Sequence, residues 1–316
     1  MAAPGKVAPP LWPGAVLPDL AGQLAIVTGA NSGVGFQAAR ALAAAGADVV
    51  LACRSASKAE AALADIAPVA RGRVWTELLD LADLASVRDF AGRVKAAHSR
   101  LDLLLNNAGV MAPKHRLTTA LGYELQFGVN FLGHFLLTAL LLEPLMNAPS
   151  ARVVQVASLA HRQGRLDFAD PHAERAYVPW RAYRQSKLAM LVFALELARR
   201  ARAGGWGVLS VAAHPGIAAT EIVRNGPGLS SLTALAMQIG KAFVVQSAEA
   251  GAWPLVLAAT DPAASQGAYY GPTGFMECNG PPGLARIMPH ARDEETGRQL
   301  WALAERLTGE RLIPGG

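Results

Sequence analysis

Leu24-Ala25-Ile26-Val27-Thr28-Gly29-Ala30-Asn31-Ser32-Gly33-Val34-Gly35 is the stretch that decides the fold. Its first five residues are apolar and partly β-branched, which predicts a buried strand, and the Ala/Leu-rich spacing over 36–45 predicts a helix. Between them lies a turn built on Gly29, Asn31, Ser32, Gly33, Val34 and Gly35. Glycines there permit a tight reversal and let a pyrophosphate approach the free amides of the helix N-terminus. A glycine cluster alone also occurs in plain connectors. Its position between a first strand and a first helix is what points to dinucleotide binding.

Outward from this unit, short β-branched runs alternate with longer helical stretches. Strands are expected at 48–52, 74–78, 101–106, 152–157, 208–213 and around 268–270. This is the pattern of an α/β fold, a doubly wound parallel sheet of about seven strands with helices on both faces. No repeat or linker interrupts 22–312, so a single dinucleotide-binding and catalytic domain is expected over 21–316. It follows an irregular N-terminal arm, 1–20, that holds five prolines.

The 316 residues are 52% hydrophobic, enough for a sizeable core. The net charge of +5 is scattered rather than gathered in runs, which argues against a nucleic-acid partner. The first twenty residues have no apolar stretch fit for a signal or a spanning helix. The densest apolar segment, 131–146, is too short to cross a bilayer and reads as a buried helix. Integral membrane association is therefore not expected. Two distant cysteines, Cys53 and Cys278, fit a reducing compartment, and a cytoplasmic location is the expectation.

Two groups of residues carry chemistry. At the end of the second strand an acid would bind ribose hydroxyls and repel a 2′-phosphate, but the sequence reads Leu51-Ala52-Cys53-Arg54. Arg54 and Lys58 would instead give charge-assisted bonds to that phosphate, so NADP(H) is the expected cofactor. Further on, Tyr183 and Lys187 stand four apart in a helically spaced segment, 183–200, and share one face. A phenol is a poor acid or base near neutrality, and an adjacent ammonium favours its ionised form.

These motifs, in this order, resemble the short-chain dehydrogenase/reductase family. The resemblance rests on TGxxxGxG at 28–35, Asn106-Asn107-Ala108-Gly109, Asn130, Ser158, Tyr183-Arg184-Gln185-Ser186-Lys187, and Pro215-Gly216 followed by Thr220. It implies a Rossmann-type fold and hydride transfer between NADP(H) and an alcohol or carbonyl carbon. Tyr183 would exchange the proton, Ser158 hold the substrate oxygen, Lys187 tune Tyr183 and bind the nicotinamide ribose, and Asn130 anchor a water that feeds protons to Lys187. Asp80 and Leu81 would contact the adenine, Asn107, Ala108 and Gly109 the cofactor, and Pro215, Gly216, Ile217 and Thr220 the carboxamide. From the residues alone, Asp80 reads equally as the cap of a helix starting near Leu84. One departure is Ser32, where the family often has a second basic residue.

Ala52-Cys53-Arg54, the run Val129-Asn130-Phe131-Leu132-Gly133-His134-Phe135, Ser158-Leu159-Ala160-His161 and Ser186-Lys187-Leu188-Ala189 narrow the resemblance. They are similar to the retinol dehydrogenase and WW-domain oxidoreductase branch, which implies a bulky apolar carbonyl or alcohol as substrate. A homodimer or homotetramer is implied, although the branch also contains monomers. Ser158 and Tyr183 are farther apart than in simpler members, and the intervening insert, 160–181, is expected to face the substrate. Residues 229–245, with Met237 and Phe243, read as a lid or as ordinary helix packing. Tyr269-Tyr270-Gly271-Pro272 with Gly274-Phe275 reads as a pocket floor or an oligomer contact. His134, His161 and His214 match no zinc spacing and read as core residues, with no metal expected. The competing readings are a non-catalytic NADP(H)-binding sensor or scaffold, and a protochlorophyllide reductase-like enzyme active only in light. Joint retention of Ser158, Tyr183 and Lys187 counts against the sensor.

Overall fold

A computed structural model describes residues 17–218 and 245–313. Its first βαβ unit is β1 (Leu24–Thr28), α1 (Gly33–Ala44) and β2 (Asp48–Cys53), with all five residues of β1 buried. α2 (Ala56–Ile66), β3 (Val74–Leu78), α3 (Leu84–Ala97) and β4 (Leu103–Asn106) follow. After a short turn α4 (Leu125–Phe127) come α5 (Gly133–Leu140), α6 (Leu142–Met146) and β5 (Ala151–Val156). The C-terminal half holds α7 (Pro179–Gly204), β6 (Val208–Ala213), α8 (Ala248–Thr260), β7 (Tyr269–Pro272), β8 (Pro282–Leu284) and α9 (Glu294–Thr308).

The sheet order is β3-β2-β1-β4-β5-β6-β7-β8, and every pair is parallel except β7 with β8. The seven expected strands are present. The eighth, short and antiparallel, was not read from the sequence, because Pro-Gly-Leu has no alternating pattern and takes its register from β7: Tyr270 faces Leu284. Two apolar layers clothe the sheet. One is formed by α1, α2 and α8, rich in alanine; the other, by α3, α5, α7 and α9, is dominated by Phe90, Phe131, Phe135, Phe193 and Trp301.

The expected helix over 131–146 is broken. Gly128–Leu132 forms a π-helical turn before α5, and α6 begins anew after Leu141. Asn130 lies inside that widened turn. The strand order reverses between β1 and β4, so the chain fans apart at their carboxyl ends, where an open α/β sheet offers a crevice. Among the described residues no helix is long and apolar enough to cross a membrane. The lid segment falls outside the described residues up to position 244, as does Thr220.

Candidate active site

A cleft of about 700 Å³ opens at the carboxyl ends of the parallel strands. Each strand delivers its motif to the wall: Gly29 after β1, Arg54 after β2, Asp80 and Leu81 after β3, Asn107 to Gly109 after β4, Ser158 after β5, and Pro215 to Ile217 after β6. Asn31, Ser32, Gly33, Val34 and Gly35 close one end, and Tyr183 and Lys187 reach in from α7. Lys58 does not join them. It lies in the first turn of α2, exposed and away from the cleft wall, because the helix has already turned outward at Ala56.

The glycine turn is fitted to its neighbour. Gly29 has φ +67, and a Cβ there would come within 2.9 Å of Ala108 Cα. A Cβ on Gly35 would overlap the Asn107 amide and lie 2.6 Å from Gly29 O. The Asn107 side chain is fixed by donating to Thr28 O at 2.8 Å. Bare backbone amides at the α1 N-terminus, with Ser32 making no side-chain cap, leave donors free for an anion. Arg54 is exposed at the cleft edge and makes no ion pair among the described residues. This donor set fits a dinucleotide carrying a 2′-phosphate. Asp80 binds the Ala82 amide at 2.9 Å, while Asp83 caps α3 through Ala85 N. The cap reading of Asp80 is thus displaced by three residues, and Asp80 is left on the cleft wall.

A buried polar spine joins this turn to α7. Thr28 Oγ1 accepts from the amides of Asn107 and Ala108, each at 2.9 Å, which fills both of its lone pairs. Its own proton is directed to His134 Nε2, 2.9 Å away. His134 is wholly buried, and that burial drops its pKa to about 3, so the ring is neutral. With Nε2 accepting, the proton sits on Nδ1 and is donated to Asn130 O at 2.8 Å. His134 is therefore a core residue, as its spacing implied, with both nitrogens engaged.

Asn130 lies beside the same glycine as Lys187: a Cβ on Gly109 would meet Asn130 Oδ1 at 3.1 Å and Lys187 Nζ at 3.6 Å. Its Oδ1 accepts from Val110 N at 2.8 Å, and its Nδ2 donates to Val110 O and Ser186 Oγ. Both side-chain donors and one oxygen lone pair are used inside the protein, so the residue clamps Val110 to α7 and stands behind the cleft wall. Thr28→Val should lower unfolding free energy by roughly 3 kcal/mol or more, since two amides and the His134 nitrogen lose one shared hydroxyl. Denaturant unfolding would measure it, with Thr28→Ser close to wild type.

Ser158 caps the following 3₁₀ turn, Leu159–Gln163, through Ala160 N at 3.2 Å. Its hydroxyl also faces the Tyr183 phenol. Burial raises the Tyr183 pKa, and the Ser158 hydrogen bond opposes that rise. Lys187 is buried too, its pKa pushed down to about 8, and its Nζ donates to Val156 O at 2.8 Å. Burial therefore moves both groups toward their neutral forms.

The wall contains residues given no role from sequence: Arg162, Gln163, Trp180 and Arg184. Trp180 packs edge-on against Tyr183, with ring centroids 5.7 Å apart. It stands three residues before Tyr183 on α7, so helical spacing was the available signal. Only the ends of the 160–181 insert reach the cleft. Its middle is pinned away from it by Arg116 to His172 O, Tyr177 to Pro113 O, and His172 stacked on Tyr123. The expected pocket floor is corrected as well. Tyr269 and Tyr270 are buried on opposite faces of β7, one in each core layer, and Phe275 is 70% exposed outside the cleft wall.

Comparisons with known proteins agree with this geometry. A family model described as short chain dehydrogenase matches residues 23–227. Human retinol dehydrogenase 13 is 42% identical over 294 residues, covering 91% of this chain and 85% of that protein. The crystal structure of an uncharacterized protein from Mycobacterium Paratuberculosis superposes with a TM-score of 0.77 at 39% identity, covering 95% of this chain and 98% of that one. A structure described as an NAD(P) dependent gluconate 5-dehydrogenase from Beutenbergia cavernae, with bound NADP at low occupancy, gives 0.62 at 28% identity, covering 78% and 92%.

Proposed function

As the chain belongs to the short chain dehydrogenase family, in its retinol dehydrogenase-like branch, we propose that it moves hydride between NADP(H) and a bulky apolar alcohol, aldehyde or ketone. The observation that carries this reading is the meeting of Ser158, Tyr183 and Lys187 in one cleft with the glycine turn and Arg54. When bound, the nicotinamide supplies or accepts the hydride. The protein's part is to hold proton and oxygen. Tyr183 carries the transferable proton on its phenol oxygen, and Ser158 beside it donates to the substrate oxygen. Lys187, held by Val156 O, would place positive charge near the ribose and the developing alkoxide.

Gly29, Asn31, Gly33, Val34 and Gly35 would bind the pyrophosphate, Arg54 the 2′-phosphate, and Asp80 and Leu81 the adenine. Pro215, Gly216 and Ile217 would take the carboxamide end. Leu125, Val129, Met111, Leu159 and Trp180 give the remaining wall an apolar character, which suits a hydrophobic substrate.

The test is titration with NADPH and NADH, followed by cofactor oxidation against apolar aldehydes, ketones and quinones. Turnover with NADPH preferred is expected; preference for NADH would overturn the Arg54 assignment, and tight binding without turnover on any substrate would favour a sensor. Arg54→Glu should weaken NADPH about 10- to 100-fold and leave NADH within a few-fold, because a charge-assisted bond to phosphate is replaced by repulsion. Dissociation constants for the two cofactors check it.

A further inference from the structure

A second construction stands at the nicotinamide end of the cleft, outside the proton chemistry. Beyond β7 the chain passes through Met276 and Glu277, two consecutive non-glycine residues in the left-handed region, with φ 50 and 62. L residues keep that conformation only where their surroundings impose it, and such strain gathers at functional positions.

The surroundings here converge on one carboxylate. Glu277 Oε2 lies 2.7 Å from Arg162 Nη2 and 3.3 Å from His214 Nε2, and Oε1 accepts from Arg286 N at 3.1 Å. Burial pushes this carboxyl's pKa up, but the His214 bond, the Arg286 amide and the Arg162 charge together hold it below the usual range, so it is ionised. His214 is fully buried and accepts from Gly216 N through Nδ1 at 3.2 Å, which leaves its proton on Nε2, facing Glu277. The next residue repeats the tie, since Cys278 O accepts from Ile217 N at 2.8 Å. Gly216, φ +63, sits so close to Cys278 O that any Cβ would overlap it.

On the other side Arg162 belongs to the turn that Ser158 opens. His161, between them, donates its backbone amide to Ser158 O at 3.0 Å, and its Nδ1 lies 2.7 Å from the same oxygen. Arg162 also donates to Met276 O at 3.3 Å. One side chain thus bridges the segment under the nicotinamide position and the turn holding the substrate oxygen, two pieces of chain more than fifty residues apart in sequence.

We propose that Glu277 is a positioning residue that latches Pro215–Ile217 to the Ser158–Arg162 turn, setting the cofactor's reactive end against the substrate oxygen. The proposal rests on the hydride-transfer reading above. It predicts that loss of the latch is felt by the nicotinamide half of the ligand and not by the adenosine half.

Binding of two ligand pairs tests it: NADPH with 2′-phospho-ADP-ribose, and NADH with ADP-ribose, each measured on wild type, Glu277→Gln, Arg162→Met and the double variant. Each single variant should weaken the nicotinamide-containing member about tenfold or more, change its fragment less than twofold, and lower kcat with the weakened binding. The double variant should be no worse than the poorer single one. Equal loss within a pair would show a merely structural role, no loss would show no latch, and additive effects would show two independent contacts; each overturns the proposal. Arg162→Met breaks the same pair from the cleft side should Glu277→Gln fail to fold. A wild type that binds the NADH pair more tightly sinks the Arg54 assignment, while the latch is still read on that pair.

Discussion

Tyr183→Phe is expected to cut turnover by roughly 10²- to 10⁴-fold while leaving NADPH affinity within about twofold. The phenol is buried, so phenylalanine refills the same space and keeps the edge contact with Trp180. Only the hydroxyl, with its transferable proton and its bond to Ser158, is lost. Steady-state rates and a fluorescence titration of NADPH separate the two effects. Unchanged turnover would remove Tyr183 from the chemistry, and a parallel loss of affinity would make it a packing residue.

Gly35→Ala should have the second large effect, this time on binding. The added methyl must occupy space held by the Asn107 amide and approach Gly29 O, and neither can withdraw freely. Asn107 is tied to Thr28 O, and Gly29 is already pressed on Ala108. Overpacking of this kind costs about 1–3 kcal/mol of stability. If the turn must give way to the methyl, the same cost falls on cofactor binding, which should weaken about 10- to 100-fold. Thermal unfolding with and without NADPH measures both. A variant with wild-type affinity would show that the turn does not hold the pyrophosphate.

The central strands were legible because they are buried on both faces and read as apolar runs, and the edge strand β3, partly exposed, because its β-branched and aromatic residues lie between turn signals. β3 and β6 have the expected bounds to the residue, and β2 runs one residue longer. The site was legible where a motif sits at a strand end, since topology alone then delivers it to the crevice. What stayed hidden depends on contacts distant in sequence. Nothing near Arg162 announces Glu277. The break at Leu141 does have a signal in the sequence: Pro144 has no N–H for Leu140 O and its ring crowds that carbonyl. The aromatic segment 269–275 reads as a pocket lining by composition, yet Tyr269 is buried against His161 and His214.

The π turn at Gly128–Leu132 has an arithmetic consequence. A regular α-helix advances about 100° per residue, so one surplus residue in a turn offsets everything after it by that angle. Residues 126–138 are all buried, so the offset decides which neighbours each side chain meets rather than whether it is buried. Excision of a single codon at 128 or 129 would therefore act as a rotation of the whole downstream helix. It would swing the Asn130 clamp away from Val110 and Ser186 without altering any residue that makes those bonds.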